Sequence, residues 1–225
     1  MPDVSETSKK SETIDLGIDL CRFRSDHELL AQQKKFVRYF LNSPGPVVDL
    51  GCGRGVMLEL LRLNNIKSYG VDAFGPGVEV CRQKGLNIVE EDLFVHLKRL
   101  PASSLGGIFC SHVIEHLQPA SAMILLREAV RVLLPRGTLV IVTPNSKDLM
   151  VAMEGFWLDL THIRFYPARL LSVLLEQVGF HSIEIREDSN SRHGQVLYKR
   201  IGVFIRRLWF WGLINRGDVM AIARK

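Results

Sequence analysis

A chain of 225 residues, 47% of them hydrophobic and 24% charged, has the make-up of a single globular α/β domain with appendages. That balance excludes a disordered chain, a collagen-like repeat and a small disulfide scaffold, and no apolar run reaches the roughly 18–20 residues that cross a bilayer. The net charge of +5 is local: Arg192, Lys199, Arg200, Arg206, Arg207 and Arg216 fall between Asp188 and Asp218, an interval without acidic residues, so the rest of the chain is close to neutral.

Residues 1–13 are polar, rich in Ser, Lys and Glu, and read as a disordered tail ahead of a domain over 14–225. Met1–Ser11 lacks the apolar core of a secretory signal. Cys21, Cys52, Cys81 and Cys110 are scattered without a CxxC pair, which fits a reducing compartment, so the expected location is cytoplasmic. Leu29, Leu30, Phe36, Val37, Phe40 and Leu41 lie at helical spacing from Asp26 to Leu41, with Ser25 or Asp26 as the cap, and Asn42–Pro46 ends that helix.

Short apolar runs then alternate with helical stretches. Strands are expected at Val47–Leu50, Ser68–Val71, Ile88–Glu90, Gly107–Cys110, Thr138–Thr143 and Ser182–Arg186, and helices at Val56–Leu63, Gly77–Gln83, Pro119–Leu134 and Pro167–Val178. Asp218–Arg224 reads as a final strand. Strands alternating with helices give a mainly parallel sheet covered on both faces.

Val47-Val48-Asp49-Leu50-Gly51-Cys52-Gly53-Arg54-Gly55 is a buried strand running into a glycine-rich turn that opens a helix. There backbone N–H groups are free and the chain can approach a ligand closely. Asp72 ends the second strand, 21 residues after Gly51, where a carboxylate is placed to accept both ribose hydroxyls of a nucleoside. A dinucleotide site favours GxGxxG, with a pyrophosphate on the helix N-terminus. Here the spacing is GxGxG and Asp49 stands at the mouth of the loop, where a carboxylate repels pyrophosphate but suits a cationic amino-acid group. S-adenosylmethionine fits that pattern better than NAD. The alternative is a glycine turn that only packs a helix on the sheet.

Asp49–Gly55 resembles the first motif of class I S-adenosylmethionine-dependent methyltransferases, and Gly70-Val71-Asp72 resembles their second. Glu91-Asp92-Leu93 resembles the acidic position that reaches the adenine amino group, Gly107–Leu117 the fourth strand and its loop, and Leu125–Asn145 the fifth unit. The resemblance covers about residues 22–187. It implies a Rossmann-like α/β fold with a seven-stranded, mainly parallel sheet and helices on both faces. It also implies S-adenosylmethionine as cofactor, held by Asp49, Gly51, Cys52, Gly53, Gly55, Asp72, Ala73, Asp92, Leu93, Ser111 and His112. Phe156–Phe165 resembles, more narrowly, the Phe-Trp-Leu-Asp-Pro-Thr-His stretch of methyltransferases associated with bacterial surface-glycan assembly, including O-antigen biosynthesis, and Phe23-Arg24 fits the same group. Leu160 stands where that group has proline.

Methyl transfer from a sulfonium is an in-line displacement, so alignment supplies much of the rate. An oxygen acceptor of high pKa also needs a base or a metal; a phosphate oxygen needs neither. His112, Glu115 and His116 lie in one loop at the carboxyl end of a strand and His162 in another, with His116 or His162 as general base. The same four residues could instead ligate a divalent metal: His112 and His116 are i,i+4, so a helical turn would put both on one face beside Glu115. The Glu115-His116 arrangement is similar to the Glu-x-x-Glu-His metal site of methyltransferases that modify small-RNA 3′ ends, although His112 replaces its first Glu. A third reading has these residues only packing near the cofactor. Arg24 and Arg164 suit an anionic acceptor such as a phosphate or uronic acid, or a surface ion pair. Asp159 either caps the turn that carries His162 or orients that histidine, and Cys52 and Cys110 read as buried fillers.

Between the sixth strand and the last, a basic aromatic segment at about 192–216 pairs basic residues with Trp209 and Trp211. As a helix, 197–214 suits a membrane surface, with arginines towards headgroups; alternatively its aromatics cover the active site or a dimer partner while the arginines face solvent. Nucleic acid is a poorer fit. The chain is thus expected to be cytoplasmic, or peripheral at the inner face of the membrane, and to O-methylate a glycan hydroxyl or phosphate in cell-surface polysaccharide synthesis. The Glu115-His116 loop also resembles methyltransferases of quinone precursors and other small metabolites, which gives the alternative acceptor. A non-catalytic partner that keeps the nucleoside pocket is the remaining alternative.

Overall fold

The structure, a computed structural model, describes residues 25–187 and 217–225. The tail at 1–13, Phe23-Arg24 and the basic aromatic stretch at 192–216 lie outside the described residues. Among those described, seven strands form one sheet: β1 (Val47–Leu50), β2 (Ser68–Asp72), β3 (Ile88–Glu90), β4 (Leu105–Ser111), β5 (Leu133–Pro144), β6 (Ser182–Glu187) and β7 (Asp218–Arg224). The order is β3-β2-β1-β4-β5-β7-β6. β1 to β5 are parallel, while β7 runs antiparallel between β5 and β6. The sheet expected from the alternating pattern is therefore present.

The helices are α1 (Asp26–Gln33), α2 (Val56–Leu63), α3 (Gly75–Gln83), α4 (Leu93–Arg99), α5 (Pro119–Val132), α6 (Leu149–Met153) and α7 (Ala168–Val178). Period-2 alternation divides the strands between two apolar layers. Val48 and Leu50 of β1 and Ile108 and Cys110 of β4 face the layer closed by α5 and α7, through Leu126, Ala129, Leu171 and Leu175. Val47 and Phe109 face the opposite layer with Phe36, Phe40, Met57 and Leu61.

Four elements differ from the sequence expectation, among them α6, a short helix that the pattern did not suggest. The N-terminal helix does not run unbroken to Leu41: it holds α geometry over α1 and tightens to a 3-10 helix at Lys34–Tyr39. α1 itself buries nothing, whereas the tightened turn drives Phe36 and Val37 into the core, with the Phe36 and Phe109 rings 5.4 Å apart. Ser25 is the cap, in a reciprocal arrangement with Glu28. The helix expected to reach Leu134 ends at Val132, because Leu133 already pairs with Leu105 before a bulge that restarts the ladder at Gly107 and Thr138. α4 was not foreseen; its cue is Asp92, whose Oδ1 accepts from the amides of Phe94 and Val95.

β1 lies between strands reached in opposite directions, so a crevice opens outside the carboxyl ends of β1 and β4. α1 is pinned close to that crevice. Asp26 pairs with Arg54 at 3.1 Å and with Lys84 at 3.0 Å, and Lys84 also reaches Glu59 of α2. Below, backbone meets backbone: a Cβ on Gly106 would lie 2.2 Å from the Gly45 nitrogen, a contact that no side-chain rotation relieves. Gly106→Ala should therefore lower unfolding free energy by about 3 kcal/mol in urea titrations. Gly85→Ala, left-handed but with nothing within 4 Å of the new carbon, should lose only about 1 kcal/mol.

Candidate active site

The loop after β1 turns three times through left-handed backbone, at Gly51 (φ 71°), Gly53 (φ 51°) and Gly55 (φ 76°), which explains the glycine spacing. Asp72, at the end of β2, ties this loop to the next: its Oδ2 accepts from the Gly53 amide at 2.7 Å and its Oδ1 from the Phe74 amide at 2.8 Å. Each oxygen keeps a further acceptor site. Ala73 is exposed beside it. Asp92 and Leu93 open α4 at the end of β3, the edge strand on that side of the sheet.

Asp49 is almost wholly buried, and burial first, then the nearby Asp72 carboxylate, pushes its carboxyl well above the ordinary range. Cys52 and Cys110 are buried too, and their thiols are pushed upward, by a hydrogen bond with Cys81 and burial for Cys52 and by burial for Cys110. That leaves both as fillers.

The carboxyl end of β4 carries the second cluster. His112 takes a left-handed turn (φ 55°) and does not share a helical face with His116, because the only helical turn here is 3-10 and spans Ile114–His116. The expected i,i+4 pair is thus corrected. His112 is instead clamped between two carboxylates, with Nδ1 3.0 Å from Glu115 Oε1 and Nε2 3.5 Å from Asp218 Oδ2. Burial alone would lower its pKa, but these two carboxylates raise it to about 9. His112 with Ser111, Gln32, Gln33, Lys35 and Asp218 lines a small cavity of about 20 Å³ under α1. Gln33 Oε1 there is buried without a hydrogen-bond partner, as is Asn145 Nδ2 just beyond β5. A hollow of about 410 Å³ lies at the opposite rim, around Lys67, Ser68 and Asn87, away from this chemistry.

Glu115 is fully buried. Its Oε2 accepts from the Thr143 hydroxyl at 3.0 Å, and its backbone oxygen accepts from the amides of Ile163 and Arg164. Those last bonds bring His162 against His116, with ring centroids 4.6 Å apart. Phe156 stacks on the other side of His162 at 4.4 Å. Asp159 Oδ1 accepts from the Thr161 amide and, at 2.6 Å, from the Thr161 hydroxyl, so the turn forms with Leu160 in place of proline. With its one hydrogen already donated to Asp159, Thr161 Oγ1 accepts from His116 Nδ1, 2.7 Å away. His162 Nδ1 likewise donates to the Phe156 carbonyl at 2.6 Å. Both rings thus carry hydrogen on Nδ1 and offer a lone pair at Nε2. Burial first, then the neighbouring His162, holds His116 below the ordinary imidazole range.

Arg164 does not join the cluster; it is exposed, with its guanidinium 5.2 Å from the Tyr166 ring. Arg24 lies outside the described residues. Thr143, Thr161 and Asp218 are the site residues the sequence reading missed. Asp218 carried a signal as an acid opening a strand, and Thr143 and Thr161 lie inside the stretches that carry the resemblance.

Asp49 gives a pH test. Below the ordinary carboxylate range the group is neutral in folded and unfolded chains alike and costs nothing. As pH rises, the unfolded chain ionises first, so folding loses stability until pH passes the raised folded-state pKa. Asp49→Asn should therefore match the parent in thermal melts near pH 3 and melt higher than the parent at neutral pH, with no ligand added.

Comparison with known proteins bears on the fold and the family. A family described as a methyltransferase domain matches residues 23–185. A crystal structure of a SAM-dependent methyltransferase from Archaeoglobus fulgidus superimposes with a TM-score of 0.77 at 28% identity, over 89% of this chain and 95% of that one. One from Thermotoga maritima, described as a possible histamine N-methyltransferase, shares the fold with a TM-score of 0.62 at 16% identity, over 89% and 90% of the two chains. A Schizosaccharomyces pombe protein described as an uncharacterized methyltransferase is 27% identical over 107 residues, which are 46% of this chain and only 41% of that protein. The chain belongs to the methyltransferase-domain family and is a class I S-adenosylmethionine-dependent methyltransferase.

Proposed function

We propose that this enzyme methylates an oxygen of a glycan, on a hydroxyl or a phosphate, during assembly of a cell-surface polysaccharide. The observation that supports it most is that the stretch resembling surface-glycan methyltransferases, Phe156–Phe165, supplies Asp159, Thr161 and His162 to the cluster around Glu115 and His116. Around that cluster the surface is apolar. Leu149, Met153, Trp157, Leu158, Leu160 and Ile163 are exposed within one short segment, which suits an acceptor carried on a membrane lipid.

The residues present fit the cofactor. The left-handed glycine loop leaves open space at Gly53, where a Cβ would meet nothing within 4 Å and a ligand can approach the backbone. Asp49 is a buried carboxyl suited to a cationic amino group, and Asp72 has acceptor capacity for the ribose hydroxyls. Asp92 and Leu93 would meet the adenine, with Cys52, Gly53, Gly55, Ala73, Ser111 and His112 completing the wall. When bound, S-adenosylmethionine supplies an electrophilic methyl group. The chain's own task is to align the acceptor oxygen in line with the sulfur–carbon bond and to relieve a hydroxyl of its proton. Deprotonation falls to the Glu115–His116–His162 cluster, and Arg164 binds an anionic part of the acceptor.

Asp72→Asn keeps an acceptor for only one of the two loop amides and loses the charge, and should weaken S-adenosylmethionine binding about 10–100-fold in calorimetry. Unchanged affinity would displace the ribose from Asp72. The acceptor is tested with methyl-labelled cofactor and three substrates: a polyprenyl-diphosphate-linked oligosaccharide, the free oligosaccharide and a quinone precursor. Label in the lipid-linked glycan is the expected result. Label in the quinone precursor alone would overturn the glycan reading.

A further inference from the structure

We infer that His116 Nε2, His162 Nε2 and a carboxylate oxygen of Glu115 form a binding site for a divalent transition-metal cation. One ligand atom from each of these residues lies within 4.8 Å of the others, and among the described residues no other trio of His, Cys, Asp or Glu does so. Ions bound at about 2.0–2.2 Å need ligands about 3.3–3.5 Å apart, a closure within reach of side-chain rotation.

Proximity alone would be weak, but the hydrogen bonds behind the rings point the same way. Each imidazole donates its Nδ1 hydrogen backwards, His116 to Thr161 and His162 to the Phe156 carbonyl. Metal-binding histidines are held in this manner, with the tautomer fixed and the ring aimed by an oxygen behind it. Two nitrogen lone pairs and a carboxylate then converge, and Asp159 Oδ2 adds further negative charge 3.8 Å from His162 Nε2. Among the described residues, no hydrogen-bond donor reaches either Nε2. Such a concentration of lone pairs is relieved by a cation. The rings are also rigidly placed, since Phe156 stacks on His162 and the Glu115 backbone oxygen anchors Ile163.

Two imidazoles and one carboxylate suit Zn²⁺, Fe²⁺ or Mn²⁺ and leave coordination positions open. An acceptor hydroxyl in an open position would lose its proton to solvent at near-neutral pH, and the histidines would serve as ligands rather than bases. His112 takes no part, because both its nitrogens face carboxylates. This inference rests on reading the cluster as the group that activates the acceptor.

The test is titration of tag-free, chelator-stripped full-length enzyme with Zn²⁺ by calorimetry and with Co²⁺ by visible absorption. One equivalent of each should bind, with cobalt bands of nitrogen and oxygen ligands and no thiolate charge-transfer band. His116→Asn and His162→Asn should each weaken binding at least 100-fold. Thr161→Val, which removes only the oxygen behind His116, should weaken it about 10–100-fold. No stoichiometric binding, binding unchanged in the double histidine variant, or a thiolate band would overturn the site. Should a histidine variant misfold by circular dichroism, the cobalt spectrum of the parent and the Thr161→Val titration still decide. The acceptor reading fails separately: metal that binds as expected without glycan methylation leaves the site standing, and glycan methylation by a chain that binds no metal leaves the function standing.

Discussion

The burial of Glu115 is the constraint on which the loops at the carboxyl end of β4 depend. A carboxylate out of water is tolerated only when its oxygens are bonded, and stripping a partner from such a group costs about 3–5 kcal/mol. Glu115 meets that demand by recruiting its surroundings: His112 from the end of β4, Thr143 from β5, and, through its backbone oxygen, the amides of Ile163 and Arg164. One residue thereby joins segments almost fifty positions apart. The facing of His116 and His162 follows from this cross-link rather than from any attraction between the two rings.

The glycine loop shows the opposite use of a carboxylate. Asp72 stays partly exposed and already holds the Gly53 and Phe74 amides, so its orientation is set before any ligand arrives. Asp49, one strand away, is buried beside it and raised in pKa, an arrangement that a stable empty protein would not choose. Such local strain on stability is expected where a site is shaped for a cation rather than for the resting fold.

Much of the sheet was legible because its strands are short, fully buried apolar runs with glycine or proline at their ends; Val47–Leu50 and Asp218–Arg224 needed no tertiary knowledge. The glycine loop and Asp72 were legible for a similar reason, since their spacing is itself the geometry. The proximity of Glu115, His116 and His162 was legible in the sequence, but not their arrangement. A spacing of four between His112 and His116 reads as one helical face, and only the left-handed backbone at His112 sends the two side chains apart. The tautomer of His116 was invisible, because it is set by Thr161, 45 positions away. α4 escaped because seven residues give too little periodicity to stand out, even with Asp92 to cap them.

The antiparallel strand at the end of the sheet has a consequence for how such an enzyme can diversify. β6 pairs only with β7, and β7 is reached after residues 188–217, so these two strands close the sheet as a late, long-range pair. The entropy of closing a connection grows only with the logarithm of its length, and doubling it costs roughly 0.6 kcal/mol. The interval between β6 and β7 can therefore lengthen or change composition at little thermodynamic expense. It returns to the sheet at Asp218, the carboxylate that clamps His112. Sequence of another length or composition can thus be accommodated at this edge without disturbing the parallel strands β1 to β5.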